Sequence, residues 1–122
     1  MVMREFDHRQ LDVYRVSLEY VAYADQLANS FPPGRGGLVD QLRRASTSIC
    51  LNIAEGAGEF SSGEKARFYR VGRRSATECA AVHDICRCLG ISDETTLAAG
   101  DEMLLRIVEM LTKMIKRTAP RE

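Results

Sequence analysis

Three groups of side chains in this 122-residue sequence have the type and spacing to do chemistry. The first is Gln41, Arg44, Ser48, Asn52 and Glu55. Steps of three and four line them along one shoulder of a helix, beside an apolar stripe. Polar groups crowded against a core seam either satisfy one another across to a neighbouring helix or form a recognition surface. Ser75 and Glu78 carry the complementary groups. Were Arg44 and Glu78 buried together, each would neutralise the other, and removing one would cost roughly 3–5 kcal/mol. The second group is Lys65, Arg67, Arg70, Arg73 and Arg74, a run of cations with no acid among them. At 100° per residue, Arg67, Arg70 and Arg74 fall within about 60° of one another. Such a face suits phosphate contacts and equally suits plain solvation. The third group is Cys79, His83 and Cys86, whose spacings of four and three could aim two thiolates and an imidazole at one zinc ion. Glu78 or another cysteine would have to complete the set. The paired Cys-x-x-Cys knuckles of structural zinc sites are missing, and small core cysteines with a histidine at the core edge account for the pattern. No metal and no cofactor is assigned.

The elements that must position these groups are helices. Val13, Val16, Tyr20, Ala24, Leu27 and Phe31 recur at three and four, which predicts a helix over about 12–30, stopped by Pro32-Pro33-Gly34. Asp12 is its N-cap or first-turn acid. Leu38, Leu42, Ala45, Ile49, Asn52 and Gly56 predict a second helix over about 38–56, ended by Gly56-Ala57-Gly58. Ser61 with Glu64 has the form of a capping box and opens a third, over about 62–89. Its seam reads as Phe68, Ser75, Val82 and Leu89, interleaved with Gly72, Cys79 and Cys86, and the small Gly72 and Ser75 would let a neighbour approach closely. Gly90 ends it. Ser92, helped by Asp93 and Glu94, caps a fourth over about 93–118, with Leu97, Leu104, Val108, Leu111 and Ile115 as its stripe. Short loops and three-four spacing give one all-α domain over 1–122, an antiparallel up-down four-helix bundle.

Composition narrows the class further. Hydrophobic residues make up 45% and charged residues 28%, with 17 cations against 17 acids. That excludes a disordered chain and lacks the basic excess of a general polyanion binder. No apolar run approaches the roughly 20 residues of a membrane span. The residues Met1 to His8 contain no export-signal stretch, so a cytoplasmic protein is expected, with Cys50, Cys79, Cys86 and Cys88 reduced and packed. Gly34-Arg35-Gly36-Gly37 links two helices and is no phosphate-binding loop. The paired Glu-x-x-His motifs of di-iron bundles are absent. No serine or cysteine has a sequence-evident base. The chain is read as not an enzyme.

The segment Gln41-Leu42-Arg43-Arg44-Ala45-Ser46, followed by Ser48-Ile49 and Asn52-Ile53-Ala54-Glu55-Gly56, carries a family resemblance. Leu11-Asp12-Val13-Tyr14, Ser75 and Glu78 extend it over nearly the whole chain. The chain resembles the bacterial four-helix bundle proteins encoded by intervening sequences of 23S ribosomal RNA genes, and is similar to the accessory proteins of diversity-generating retroelements. The resemblance implies a ring of five subunits. The retroelement proteins bind nucleic acid and a reverse transcriptase and are strongly basic, whereas this chain is neutral.

The function expected on these grounds is a non-enzymatic homo-oligomeric binding or scaffold protein. Its partners would be further copies of itself, in a pentamer, and RNA, DNA or a nucleic-acid enzyme, without a membrane. The alternative is a structural or protein-interaction module with no nucleic-acid role, and the third reading is a metal-binding bundle. Met103, Met110 and Met114 form a second apolar shoulder on the fourth helix and are the expected oligomer interface.

Overall fold

The computed structural model describes residues 5–118. A short 3-10 turn, Asp7–Gln10, leads into α1 (Asp12–Asn29), followed by α2 (Gly36–Ala57), α3 (Ser62–Leu89) and α4 (Glu94–Thr118). No strand occurs among the described residues.

Local chemistry explains most of the boundaries. The N-cap of α1 is Leu11, which has no side-chain acceptor, and Asp12 sits in the first turn, 2.9 Å from Arg15. Gly34 takes a φ of +92° in the turn that follows α1, and α2 begins at Gly36, two residues before the expected start. At the other end of α2, the Lys65 ammonium donates to the carbonyls of Gly56 (2.8 Å) and Ala57 (3.1 Å). A cation there complements the negative end of the helix dipole. Ser61 Oγ accepts from the Glu64 amide at 3.3 Å. This is half a capping box, because the Glu64 carboxylate turns to Arg67. Gly90, at φ +66°, ends α3 in a Schellman arrangement, its amide bonding to Arg87 O and the Ile91 amide to Cys86 O. The cap of α4 is Asp93, not Ser92: the Asp93 carboxylate accepts from the amide and the hydroxyl of Thr96, both at 2.8 Å. Ser92 Oγ is buried instead.

Each helix packs on its two neighbours, α1 on α2 and α4, and α3 on α2 and α4; the diagonal pairs do not pack backbone to backbone. Gln41 meets Glu78 and Ser48 meets Ser75, so numbering rises on α2 as it falls on α3. Arg73 with Thr112 and His83 with Asp101 show the same for α3 and α4. The bundle is therefore antiparallel and up-down.

The core contains Tyr20, Leu42, Ile49, Ile53, Leu97, Ile107 and Leu111, all without exposure. On α3 the buried seam runs as Tyr69, Ala76 and His83, interleaved with Gly72, Cys79 and Cys86. Of the expected line, Ser75 and Val82 are buried, while at its two ends Leu89 is 42% exposed and Phe68 only half-buried. His83 joins Val82 on the buried face. At Gly72 the backbone of α2 lies in ordinary contact, as expected beside a small residue, and a tighter contact falls at Gly56. A Cβ on Gly72 would make ordinary contacts at 3.6 Å, whereas one on Gly56 would meet Tyr69 Cε1 at 2.5 Å. The Tyr69 ring thus presses edge-on against the last turn of α2.

Substituting Gly56→Ala must displace that ring. It is expected to cost about 1–3 kcal/mol, read as a lower denaturant midpoint with an unchanged slope.

Candidate functional site

The polar shoulder of α2 faces α3, as its spacing required. Gln41 Nε2 donates to Glu78 Oε2, Ser48 Oγ and Ser75 Oγ lie 2.8 Å apart, and Asn52 Nδ2 donates to Ser48 O at 2.8 Å and to Ser48 Oγ at 3.1 Å. Gln41, Ser48, Ser75 and Glu78, with Arg44, border an open groove of about 310 Å³ between the helices. Ser75 is the buried end of the network, while Gln41, Arg44 and Glu78 are exposed and Glu55 faces solvent. The buried Arg44–Glu78 pair does not form. Glu78 is held by Gln41, and Arg44 has no ion-pair partner among the described residues. The groove mixes hydroxyl, amide, guanidinium and carboxylate groups, and no hydroxyl in it has a base beside it.

The basic run divides in two. Lys65 is spent on the end of α2. Arg67 is clamped by Glu64 through Nε (3.0 Å) and Nη2 (2.8 Å) and lies 4.6 Å over the Phe68 ring. Arg73 Nη1 donates to Thr112 Oγ1 at 3.2 Å. Arg70 and Arg74 remain exposed, without an ion pair among the described residues. The run contains no acid, but Glu64 precedes it by one residue and reaches Arg67 from three residues away.

The set weighed as zinc ligands belongs to a different arrangement. His83 is fully buried rather than at the core edge. Its Nε2 lies 2.8 Å from the Tyr20 hydroxyl of α1, and its Nδ1 lies 2.7 Å from Asp101 Oδ1 of α4. Asp101 Oδ2 accepts from Arg87 Nη2 at 2.5 Å, and Arg87 also reaches Glu94 through Nε at 2.8 Å. A polar chain thus runs from the centre of the bundle to its surface. Burial opposes ionisation of Asp101, but the bonds from Arg87 and His83 outweigh it and hold the carboxyl below its usual range. An ionised Asp101 only accepts, so Nδ1 carries a proton towards it, and Nε2 is taken up by the Tyr20 hydroxyl. Both ring nitrogens are engaged, leaving no lone pair for a metal ion. Burial pushes the Cys79 thiol up to about 12 and raises Cys86 as well, so neither is a ready thiolate. Burial likewise drives the Tyr20 hydroxyl far up, and with no exposure it meets no substrate. All four cysteines are free, and Cys88, unlike the other three, is exposed.

Sequence reasoning missed this chain. The usable signal was the seven-residue recurrence Tyr69, Ala76, His83, which puts an imidazole on the inner face. Met103, Met110 and Met114, the expected oligomer interface, are half-buried against the molecule's own core, and the exposed apolar side chains include Leu18, Leu51, Phe60, Ile85 and Leu105.

Two outcomes follow from these geometries. The folded-state pKa of Asp101 is depressed, so its contribution to stability is complete above the unfolded value, about 3.9. That contribution disappears as pH falls through the folded value. Denaturation measured from pH 7 to pH 2 should show an acid loss that is reduced in Asp101→Asn. Separately, Ser75→Ala should cost about 1–2 kcal/mol by orphaning Ser48, and the Ser48→Ala/Ser75→Ala pair less than the sum of its parts. Glu78→Ala should cost under about 1 kcal/mol, as for other exposed groups.

No described helix is long and apolar enough to cross a membrane. Among curated proteins none matches the chain. A family model described as 23S rRNA-intervening sequence protein matches residues 9–113, spanning α1 to α3 and most of α4. On that match, and with the four-helix fold that carries it, the chain belongs to the family of 23S rRNA-intervening sequence proteins.

Proposed function

We propose that this protein is a non-enzymatic, homo-oligomeric scaffold that holds RNA or DNA phosphates against the outer face of α3. The observation that carries the reading is the pair Arg70 and Arg74, one turn apart on that face, exposed and without an acidic partner among the described residues. Arg44 borders the adjoining polar groove and adds a third such cation. Local field matters more than total charge for a polyanion, so zero net charge is no obstacle. Two or three contacts per chain are weak, and repetition around an oligomer multiplies them through avidity. The ring of five implied by the family resemblance would supply that repetition.

A structural or protein-interaction role is the second reading. Leu51 on α2 is 64% exposed, Leu18 on α1 46% and Phe60, in the turn between α2 and α3, fully so, a supply of apolar contact that a monomer leaves wet.

Titration of labelled structured RNA and duplex DNA separates the two. Binding should be insensitive to sequence and weaken steeply with salt. Arg70→Ala/Arg74→Ala should lower the salt slope by about 2 per chain engaged. Binding unchanged in that variant, or none at low salt, removes this face. A species of 13.6 kDa by light scattering at micromolar concentration removes the oligomer.

A further inference from the structure

A second concavity lies at the other side of the molecule, between the start of α1 and the end of α4. It is an open groove of about 510 Å³ whose walls are Leu11, Val13, Met110 and Met114. Methionine side chains are unbranched and polarisable and adapt to irregular apolar shapes. A volume of this size is ordinary for a small-molecule site.

Three polar features converge on these apolar walls. Tyr69 lines the groove and is only 3% exposed, yet its hydroxyl has no hydrogen-bond partner among the described residues. Its ring packs directly against Gly56. The N-terminus of α1, an 18-residue helix, also opens here, since Leu11, Asp12 and Val13 all line the groove. No side chain caps that terminus; the Tyr14 amide bonds to Leu11 O, and the amides of Asp12 and Val13, with the positive end of the helix dipole, are left for an anion. Finally, Lys113 and Arg117, one turn apart on α4, stand at the rim without ion pairs among the described residues. The acid of the groove, Asp12, is turned to Arg15 at 2.9 Å and so does not neutralise the pair.

We propose that this groove binds a small amphiphilic monocarboxylate: an apolar body lying on Met110 and Met114, with its single anionic head held by Lys113, Arg117 and the first turn of α1. The Tyr69 hydroxyl donates to the same carboxylate. Each polar group is one that a carboxylate satisfies, and each wall residue is one that an acyl or aromatic body covers. Neither Arg70 nor Arg74 lines the groove, and the proposal does not depend on the nucleic-acid reading. It also gives Met110 and Met114 a use other than subunit contact.

The test is calorimetric titration of the full chain with octanoate at low ionic strength, with octanol and octyltrimethylammonium as uncharged and oppositely charged counterparts. Saturable binding of one octanoate per chain is expected, with octanol about tenfold weaker, the share of a charge-assisted contact. Lys113→Gln/Arg117→Gln should weaken octanoate by about the same factor and leave octanol unchanged. Tyr69→Phe keeps the ring and should weaken octanoate a few-fold. Met114→Trp fills the groove and should abolish binding, with helical content by circular dichroism unchanged. Equal affinity for octanoate and octanol, octanoate binding that survives Met114→Trp in a folded protein, or no saturable binding would overturn the proposal. Self-association that octanoate displaces and Met114→Trp abolishes would assign the groove to a second copy, and would overturn it too.

Discussion

Both nitrogens of an imidazole sealed from water need a hydrogen-bond partner, and His83 finds them on two different helices, Tyr20 on α1 and Asp101 on α4. The diagonal pair α1 and α3 do not pack backbone to backbone, so this side-chain bridge is what spans the middle of the bundle. A hydrogen bond between buried groups contributes modestly when made and costs several times more when one partner is left alone. A one-residue slip of α3 would orphan His83, Tyr20 and Asp101 together. The chain of bonds therefore selects one register among several that apolar packing alone would tolerate. Arg87 extends the same logic outwards, since it keeps Asp101 charged while staying in contact with water.

Charge on this molecule is arranged rather than abundant. Equal numbers of acids and cations produce no net field, and several of the cations serve the fold: Lys65 closes α2, Arg87 braces α3 against α4, and Arg43 reaches Asn29 and Asp25 on α1. Of the cations left without an ion pair among the described residues, two pairs stand one turn apart on their helices in different surroundings. Arg70 and Arg74 stand on a polar, convex helix face, which suits an extended polyanion. Lys113 and Arg117 border an apolar recess, which suits a single anionic head on a greasy body.

The sequence carried the architecture because each helix announces itself twice, by its stripe and by its stop. Pro32-Pro33-Gly34, Gly58 and Gly90 sit where the chain turns, and three-four spacing marked the inner faces to within a residue. The polar shoulder of α2 was legible for the same reason, and Ser48 does meet Ser75. What periodicity could not show was which polar residues lie inside. Val82 is buried as its spacing indicates, but His83 beside it, which spacing places at the core edge, is fully buried as well. Nor can spacing reveal what a cation is engaged in. Lys65 bonds to carbonyls eight and nine residues back, across a turn whose path only the fold defines. Tyr69 and the recess at the end of α4 were invisible because that site is assembled from three helices.

The Schellman turn at Gly90 and the Arg87 clasp have a consequence for how the chain reaches this structure. Only four residues, Gly90–Asp93, separate α3 from α4, and Arg87 reaches Glu94 directly across them. Closing so short a loop costs little chain entropy, and entropy is the chief barrier to first contacts. The α3–α4 hairpin can thus form as a unit and align His83 with Asp101 before α1 arrives. Tyr20 would then find its partner already positioned, and the last helix to dock would be the first one in the sequence.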